Sequence, residues 1–242
     1  MLRDVSAGPG LFPSTRHSAL LGALSDDGEV RRRSWDRLAR AYHRAIYKHL
    51  RMKWAMGPDD AADATQAFFA RCLEGAVLER YERERARFRT YLRLRLDRFV
   101  QDERRAQKAE QRGGKIQTIA LDLDVVEREL ANERSDGDPE AAFDREWMRS
   151  VLSIALDALR AHGEDKDKRE HVRAFERFHV SADEPGYEDV ANELRIDVVT
   201  LTHRLAYARR HYRRLVLETL RELTASDEEY RDEAKTVLGV EL

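Results

Sequence analysis

One stretch decides the fold that we expect: YEDVANELRIDVVTLTHRLAYARRHYRRLVL, at residues 187–217. Its first part places Val190, Ala191 and Leu194 at helical spacing. Asp197 then suits the start of a second helix, because its carboxylate can accept hydrogen bonds from the free N–H groups of a first turn. Within that second helix, apolar residues recur at i, i+4, i+7 and i+11, namely Leu201, Leu205, Ala208 and Tyr212. The pattern predicts two helices joined by a three-residue turn.

The other faces of the second helix carry side chains that can hydrogen-bond or contact phosphate: Thr202, His203, Tyr207, Arg210 and Arg214. Two helices, one apolar seam and a basic outer face are typical of a helix-turn-helix, whose second helix can enter the major groove. An ordinary helical hairpin with a solvated charged face explains the same stretch equally well. Arg195 occupies the turn position where glycine is common, so we expect strain there if its backbone is left-handed.

The amino-acid composition favours an all-α protein, and the cysteine content favours a reducing compartment. The 242 residues suffice for one or two domains, and they are 42% hydrophobic and 37% charged, with 12 Gly and 5 Pro. Cys72 is the single cysteine, so no disulfide framework forms, and we expect it to be a buried packing residue. The sequence lacks an apolar run of membrane-spanning length and a signal-peptide core at its N-terminus. We therefore expect a cytoplasmic protein.

Charge is unevenly distributed along the chain, although the net charge is only −2. Basic residues dominate residues 87–115, and residues 203–214 contain arginines and no acids. Acids dominate residues 122–144 and the segment after Asp227. Such asymmetry is expected when one surface meets nucleic acid. It also fits a protein that its acidic segments keep soluble.

These patterns predict two helical domains joined by a flexible acidic linker. The expected segments are a disordered tail at 1–14, a first domain at 15–112, a linker at 113–140, a second domain at 141–223 and an acidic tail at 224–242. The tail has an amphipathic pattern, and it could fold back on the basic face or extend freely.

Three helices are expected in the first domain before its basic segment. A short helix over 15–24 precedes a longer one, for which Ser34 is the predicted N-cap. A third helix is expected from Asp60 to about Leu78, because apolar residues recur along one of its sides. In the second domain, helices are expected from near Ala141 and over 169–178.

A basic helix follows, with the sequence FRTYLRLRLDRFVQDERR at residues 88–105. Phe88, Leu92, Leu96 and Phe99 are expected to face inward. The remaining faces carry Arg89, Arg93, Arg95, Arg98, Arg104 and Arg105. Together with Tyr91 and the nearby Tyr81, these arginines suit a surface that holds phosphates and stacks on unpaired bases. An exposed helix with snorkelling arginines explains the same pattern.

Three ordered motifs make the chain resemble the extracytoplasmic-function group of RNA polymerase sigma factors, over roughly residues 15–222. DAADATQAFF at 60–69 is similar to the Asp-x-x-Asp-x-x-Gln-x-x-Phe of sigma region two. Phe88-x-x-Tyr-Leu with a later Asp102-x-x-Arg is similar to that region's Phe-x-x-Trp-Leu and Asp-x-x-Arg. TLTHRLAYAR at 200–209 looks like the recognition helix of region four. Two departures concern promoter preference: Arg98 replaces a common Asn, and Ala206-Tyr207 replaces a bulky-plus-Arg pair.

The resemblance implies a set of partners and contact residues. The implied partners are core RNA polymerase, through the clamp coiled coil of its largest subunit and the flap of the second-largest, and promoter DNA. The residues implied in polymerase binding are Asp60, Asp63 and Gln66, with Phe69 and Leu73 as apolar anchors. Those implied at the −10 element are Tyr81, Arg87, Arg89, Tyr91, Arg93, Arg95, Arg98, Arg104 and Arg105. At the −35 element, Thr202, His203, Tyr207 and Arg210 are expected near base edges, and Arg204, Arg209 and Arg214 near phosphates.

Restraint of the activity is a further expectation, by an anti-sigma factor, a regulatory kinase or the protein's own acidic tail. The last of these is a hypothesis motivated by the opposite charges of the tail and the basic helix.

Other functions are weighed against this one. The sequence contains no phosphate-binding glycine loop, no His-Glu-x-x-His and no histidine pair at i, i+4, so we expect no enzyme activity, cofactor or metal. A helix-turn-helix regulator that acts without core polymerase stays a serious alternative. An anti-sigma or adaptor protein would bind no DNA, and the basic segment 87–115 argues against it.

Overall fold

The computed structural model describes residues 19–74, 78, 81–82, 86–110 and 138–239, with backbone alone at 107–110. These residues form helices and no strand, which confirms the all-α prediction for this part of the chain. The predicted N-terminal tail, and the predicted linker up to residue 137, lie outside the described residues. Across the described ranges, no helix has the length and apolar character needed to cross a membrane.

The helices in these ranges follow in the order α1 Ala19–Gly22, α2 Gly28–Lys53, α3 Pro58–Leu73, α4 Phe88–Glu110, α5 Pro139–Asp165, α6 Arg169–His179, α7 Tyr187–Glu193, α8 Val198–Leu223 and α9 Asp227–Leu238. Helix α5 begins two residues before the expected Ala141, because Asp138 accepts a hydrogen bond from the Glu140 N–H at 2.9 Å. Helix α3 ends at Leu73, earlier than expected. Gly75 follows in the sequence and favours helix termination there.

The predicted N-cap of α2 was wrong. Asp27, not Ser34, caps this helix, and its carboxylate accepts from the N–H groups of Glu29 at 2.9 Å and Val30 at 3.2 Å. Ser34 lies buried within α2 and faces Gly22. A Cβ atom on Gly22 would lie 2.1 Å from the Ser34 hydroxyl oxygen, so glycine there permits the close approach of α1 to α2.

A first hydrophobic cluster combines α1, α2, α3, α4 and the N-terminal half of α5 with the ends of α8 and α9. Tyr42 of α2 lies at its centre, with its ring 5.7 Å from that of Phe88 and 6.2 Å from that of Trp147. Cys72 is buried in the same cluster, as predicted, and burial raises the pKa of its thiol to about 12. The N-terminal half of α5 therefore packs on helices of the predicted first domain.

A second hydrophobic cluster lies beneath α7 and the first half of α8. Its buried members are Leu159, Val172, Ala174, Phe175, Val190, Ala191, Leu201, Leu205 and Ala208. Tyr212 of α8 packs against both clusters and donates a hydrogen bond to the Leu152 carbonyl at 3.0 Å. Helices α5 and α8 thus run through both clusters, and the predicted division into two domains stays a prediction.

Candidate nucleic-acid and protein interfaces

The turn between α7 and α8 has the local geometry expected from the sequence. The N–H of Ile196 donates to the Ala191 carbonyl at 3.0 Å, and the N–H of Arg195 donates to the Asn192 carbonyl at 3.1 Å. This pattern is a Schellman motif, which needs a left-handed residue at Arg195. Arg195 has φ 54°, so the expected strain at this non-glycine position is present.

Asp197 starts the second helix, as predicted. Its carboxylate accepts from the Thr200 N–H at 2.8 Å and from the Thr200 hydroxyl at 2.6 Å. The predicted seam residues Leu201, Leu205 and Ala208 are buried in the second cluster. Packing of this seam fixes the rotation of α8 and decides which of its side chains face outward.

An exposed ridge runs along the outer side of α8. Its members are Val199, Thr202, His203, Ala206 and Arg210. Val199 is 65% exposed, the largest fraction among the exposed large hydrophobic residues of the described chain. Sequence reasoning missed it, because a valine beside Val198 at a helix start gives no polar signal. An exposed apolar group on the first turn of such a helix is suited to contact a thymine methyl.

Tyr207 does not lie on this ridge, although it was expected near base edges. Its hydroxyl lies 3.0 Å from Nε2 of His162 in α5, and its ring lies 4.8 Å from His171 in α6. His211 is 4.2 Å from the Tyr207 ring and stacks on His162 at 4.5 Å. Tyr207 is turned away from the ridge because it flanks the buried seam on the side where α5 and α6 pack. Partial burial lowers the pKa of His171 and of His211, and nearby cationic groups lower both further.

The arginines of α8 that were expected near phosphates have partners within the chain. Arg204 lies 3.1 Å from Glu170, and Arg214 lies 2.9 Å from Glu218. Arg209 donates to Nε2 of His179 at 2.8 Å and to the Tyr187 hydroxyl at 3.1 Å. Arg209 therefore ties α8 to α6 and α7, whereas Arg210 extends over Tyr207 and stays exposed.

The residues expected to bind polymerase lie along α3. Asp60, Asp63 and Leu73 are exposed, and Gln66 and Phe69 are half-buried. The Phe69 ring packs against Phe68 at 6.2 Å, and Leu73 exposes 43% of its surface at the end of the helix. The helix thus presents carboxylates near its start and an apolar side chain at its end.

Not every arginine of the basic helix α4 is exposed. Arg98, Arg104 and Arg105 are exposed and Arg95 is half-buried. Arg104 lies over the Trp54 ring at 4.8 Å and donates to the Trp54 carbonyl at 2.8 Å. The part of α4 from Arg98 to Arg105 therefore offers an open basic surface.

The start of α4 differs from the prediction, because Arg89 is only 6% exposed and does not reach an outer face. Its Nε lies 3.1 Å from Glu233 of α9, and its guanidinium lies 4.9 Å from the Trp147 ring. Arg89 follows Phe88 directly, so it flanks the inward side of α4, where α9 covers it. Arg93 is also mostly covered and lies 2.5 Å from Glu140.

The aromatic residues expected to hold an unpaired base pack against each other. The rings of Tyr81 and Tyr91 are 5.0 Å apart, and both residues are half-buried. The Tyr81 hydroxyl donates to the Ala86 carbonyl at 3.1 Å. The structure thus brings this predicted pair together at the start of α4.

Asp97 fixes α4 on α2. Its carboxylate accepts from His49 at 2.9 Å, Lys53 at 2.8 Å and the Trp54 indole at 2.8 Å. Burial raises the pKa of Asp97, but these three hydrogen bonds outweigh burial and hold the pKa well below its usual range. The carboxylate therefore stays ionised and anchors the backbone of α4 to the C-terminal part of α2.

The sequence allowed the acidic C-terminal segment either to fold back on the basic face or to extend freely. In the structure it folds back onto α4. Helix α9 buries Glu229 and Glu233 against the start of α4. Burial raises the pKa of Glu229, and it raises that of Glu233 to about 7.

No group of histidine, cysteine or carboxylate side chains in the described ranges is arranged to hold a metal ion. A scan against models of protein families, a search of curated proteins and a search of solved structures find no match to the chain.

Proposed function

We propose that the protein is an alternative sigma factor, which binds core RNA polymerase and directs promoter recognition, promoter melting and transcription initiation. The observation that carries this proposal is the exposed ridge of α8, which lies on the second helix of a capped helix-turn-helix in a chain that also exposes a basic helix. The resemblance of α3, α4 and α8 to three ordered sigma motifs supports it. The proposed location is the cytoplasm.

At the −35 element, α8 would enter the major groove with its N-terminal turns. Val199, Thr202 and His203 are exposed there, and Arg210 is exposed two turns further along. A hydroxyl, an imidazole, a guanidinium and a valine methyl can together distinguish base pairs in the major groove. Arg213 and Arg214 are exposed beyond them and suit phosphate contacts.

At the −10 element, α4 would hold backbone phosphates through Arg98, Arg104 and Arg105. This attraction is sequence-independent and weakens steeply as salt rises. Tyr81 and Tyr91 would capture an unstacked base once their mutual contact opens. Stacking of this kind favours melted DNA without an external energy source.

Polymerase would bind α3. The exposed carboxylates of Asp60 and Asp63 suit basic side chains on the proposed clamp coiled coil. Leu73 supplies an exposed apolar contact near the other end of the helix. Contact of the second domain with the polymerase flap, and restraint by an anti-sigma factor or a kinase, belong to the same proposal.

Run-off transcription tests the proposal directly. Core RNA polymerase would be incubated with the promoter region upstream of the protein's own gene, with and without the protein. We expect a specific transcript only when the protein is present, and a weaker one with Asp63→Ala or Gln66→Ala. Asp59→Ala, which removes an exposed carboxylate next to the proposed polymerase face, should leave the transcript unchanged.

A second candidate is a helix-turn-helix regulator that acts without core polymerase. The observation that favours it is the separate hydrophobic cluster beneath α7 and α8, which supports this DNA-binding unit without help from α3. Tight binding of the protein alone to that promoter, with no polymerase-dependent transcript, would select the regulator over the sigma factor.

A further inference from the structure

Acidic side chains of α9 cover the first turn of α4. Asp232 lies 2.9 Å from Arg87, and Glu233 lies 3.1 Å from Arg89. Glu229 accepts a hydrogen bond from the Phe88 N–H at 2.5 Å and another from the Ala225 N–H at 2.8 Å. Three carboxylates of one short helix thus meet two guanidinium groups and a backbone donor at the start of another.

The groups that α9 covers are the kind that bind phosphate. A free N–H at a helix N-terminus attracts anions, and arginine is well suited to phosphate oxygens. The arginines further along α4, at 98, 104 and 105, stay exposed. The carboxylates of α9 therefore occupy one end of a basic surface whose other end is open.

Some polar atoms in the contact between α9 and α4 make no hydrogen bond within the part of the chain that the structure describes. Nη1 of Arg89 and Oε2 of Glu233 are both buried without a hydrogen-bond partner among the described residues, although Nη1 lies 3.7 Å from the Asp144 carboxylate of α5. A buried ion pair stabilises little once the loss of hydration is counted, and unmatched polar atoms weaken it further. Such a contact can be exchanged for phosphate at low free-energy cost.

We infer that α9 is an autoinhibitory clasp, which holds Arg87, Arg89 and the start of α4 until nucleic-acid phosphates displace it. This inference rests on the proposed function, because it takes α4 as a DNA-binding helix. In the closed form DNA meets the C-terminal half of α4. In the open form the whole helix contacts the DNA backbone.

Binding of DNA to full-length variants tests the clasp. The test variant is Asp232→Asn/Ala234→Asn, which removes the acid that pairs with Arg87 and places a polar side chain at a fully buried position of α9. The control is Glu228→Gln, which makes the same change of net charge at an exposed position of the same helix. The probe is a fluorescein-labelled single-stranded DNA of arbitrary sequence at about 50 mM salt, where phosphate contacts dominate binding. Circular dichroism checks that each variant is folded.

We expect the test variant to bind the probe about tenfold more tightly than the control, because the start of α4 becomes available to phosphate. The two variants have the same net charge, so a general charge effect does not explain the difference. In a second measurement on the unmutated protein, hydrogen exchange of the amides at 227–238 should become faster when the probe is bound. This second readout stays informative even if the test variant folds poorly.

Equal affinities of the two variants, together with unchanged exchange in α9 while DNA is bound, would overturn the clasp and leave the proposed function standing. If none of the proteins binds the probe, the clasp is also rejected. Run-off transcription, which depends on polymerase binding through α3, then judges the proposed function separately.

Discussion

The Glu146 carboxylate of α5 lies 2.7 Å from Nε of Arg44 in α2, and it is fully buried. The same carboxylate lies 3.7 Å from Nζ of Lys48, which is also buried. This buried acid of α5 therefore pairs with a buried lysine and a half-buried arginine of α2, and it also lies 3.3 Å from Arg149 of its own helix.

Replacing this acid should destabilise the protein strongly. Glu146→Gln removes the buried negative charge that Lys48 and Arg44 both contact, which costs about 3–5 kcal/mol. The free energy of unfolding from urea titration measures the loss. Asp157→Asn, at an exposed ion pair on the same helix, should cost less than about 1 kcal/mol. A loss of similar size in both variants would contradict a special role for the buried carboxylate.

Glycine should stabilise the turn before α8. Because Arg195 has φ 54°, Arg195→Gly removes a left-handed strain of about 1 kcal/mol. Thermal unfolding should show a higher midpoint. Arg173→Gly, at an exposed position inside α6, should instead lower stability by roughly 1 kcal/mol, because glycine weakens a helix interior. A lower midpoint for Arg195→Gly would show that the arginine side chain makes a compensating contact.

Glu233 should make stability depend on pH. Its pKa is about 7 in the folded chain and near 4.5 when exposed, so the folded state binds the proton more tightly. The contribution of protonated Glu233 to the free energy of unfolding is therefore complete below pH 4.5, and it is lost as pH rises through 7. The loss is on the order of 3 kcal/mol at about 1.4 kcal/mol per pKa unit. The ionisable groups around it are Arg87, which precedes α4, Arg89 of α4, Glu229 of α9, Asp144 of α5 and Tyr42 of α2.

Unfolding free energies of the unmutated protein and of Glu233→Gln at pH 5 and pH 8 measure this contribution. The unmutated protein should lose more stability than the variant between the two values. Comparison of the two proteins cancels other titrating groups, including Asp97, whose lowered pKa acts in the opposite direction at acid pH. Parallel pH profiles would show that Glu233 is ionised throughout the range.

Val199 should contribute to DNA sequence preference. Val199→Ala removes methyl groups from the exposed ridge of α8, so affinity for the preferred −35 sequence should fall by about 1 kcal/mol, with affinity for random duplex unchanged. Val180→Ala, at a 52% exposed valine outside the ridge, is the matched control and should change neither affinity. Binding selections followed by anisotropy titrations supply both affinities. An equal loss on both kinds of DNA would argue against base contact.

Local rules predicted the turn and the helices well. Asp197 and Arg195 behave as expected, because an N-cap and a left-handed turn depend on residues a few positions apart. The N-cap of α2 was predicted wrongly because two residues near the start of this helix suit that role. Asp27 and Ser34 both suit a helix start, and in the structure Asp27 caps the helix whereas Ser34 packs against Gly22 of α1.

Contacts between distant residues were beyond the sequence. Arg89 and Tyr207 were assigned to outer faces, and both flank an inward side of their helix. Arg89 is covered by α9, and Tyr207 is covered by histidines of α5 and α6. Periodicity gives the direction of the apolar seam, but it does not say which neighbour covers a flank.

The passage of α5 through both hydrophobic clusters has a consequence for dissecting the chain. A fragment that starts at residue 141 would carry Phe143 and Trp147 without the α2 and α4 side chains that bury them. Exposed aromatic surface of this kind promotes aggregation. Fragments produced by cutting the chain at the acidic segment would therefore tend to aggregate. Unfolding of one hydrophobic cluster should also destabilise the other, because both contain side chains of α5.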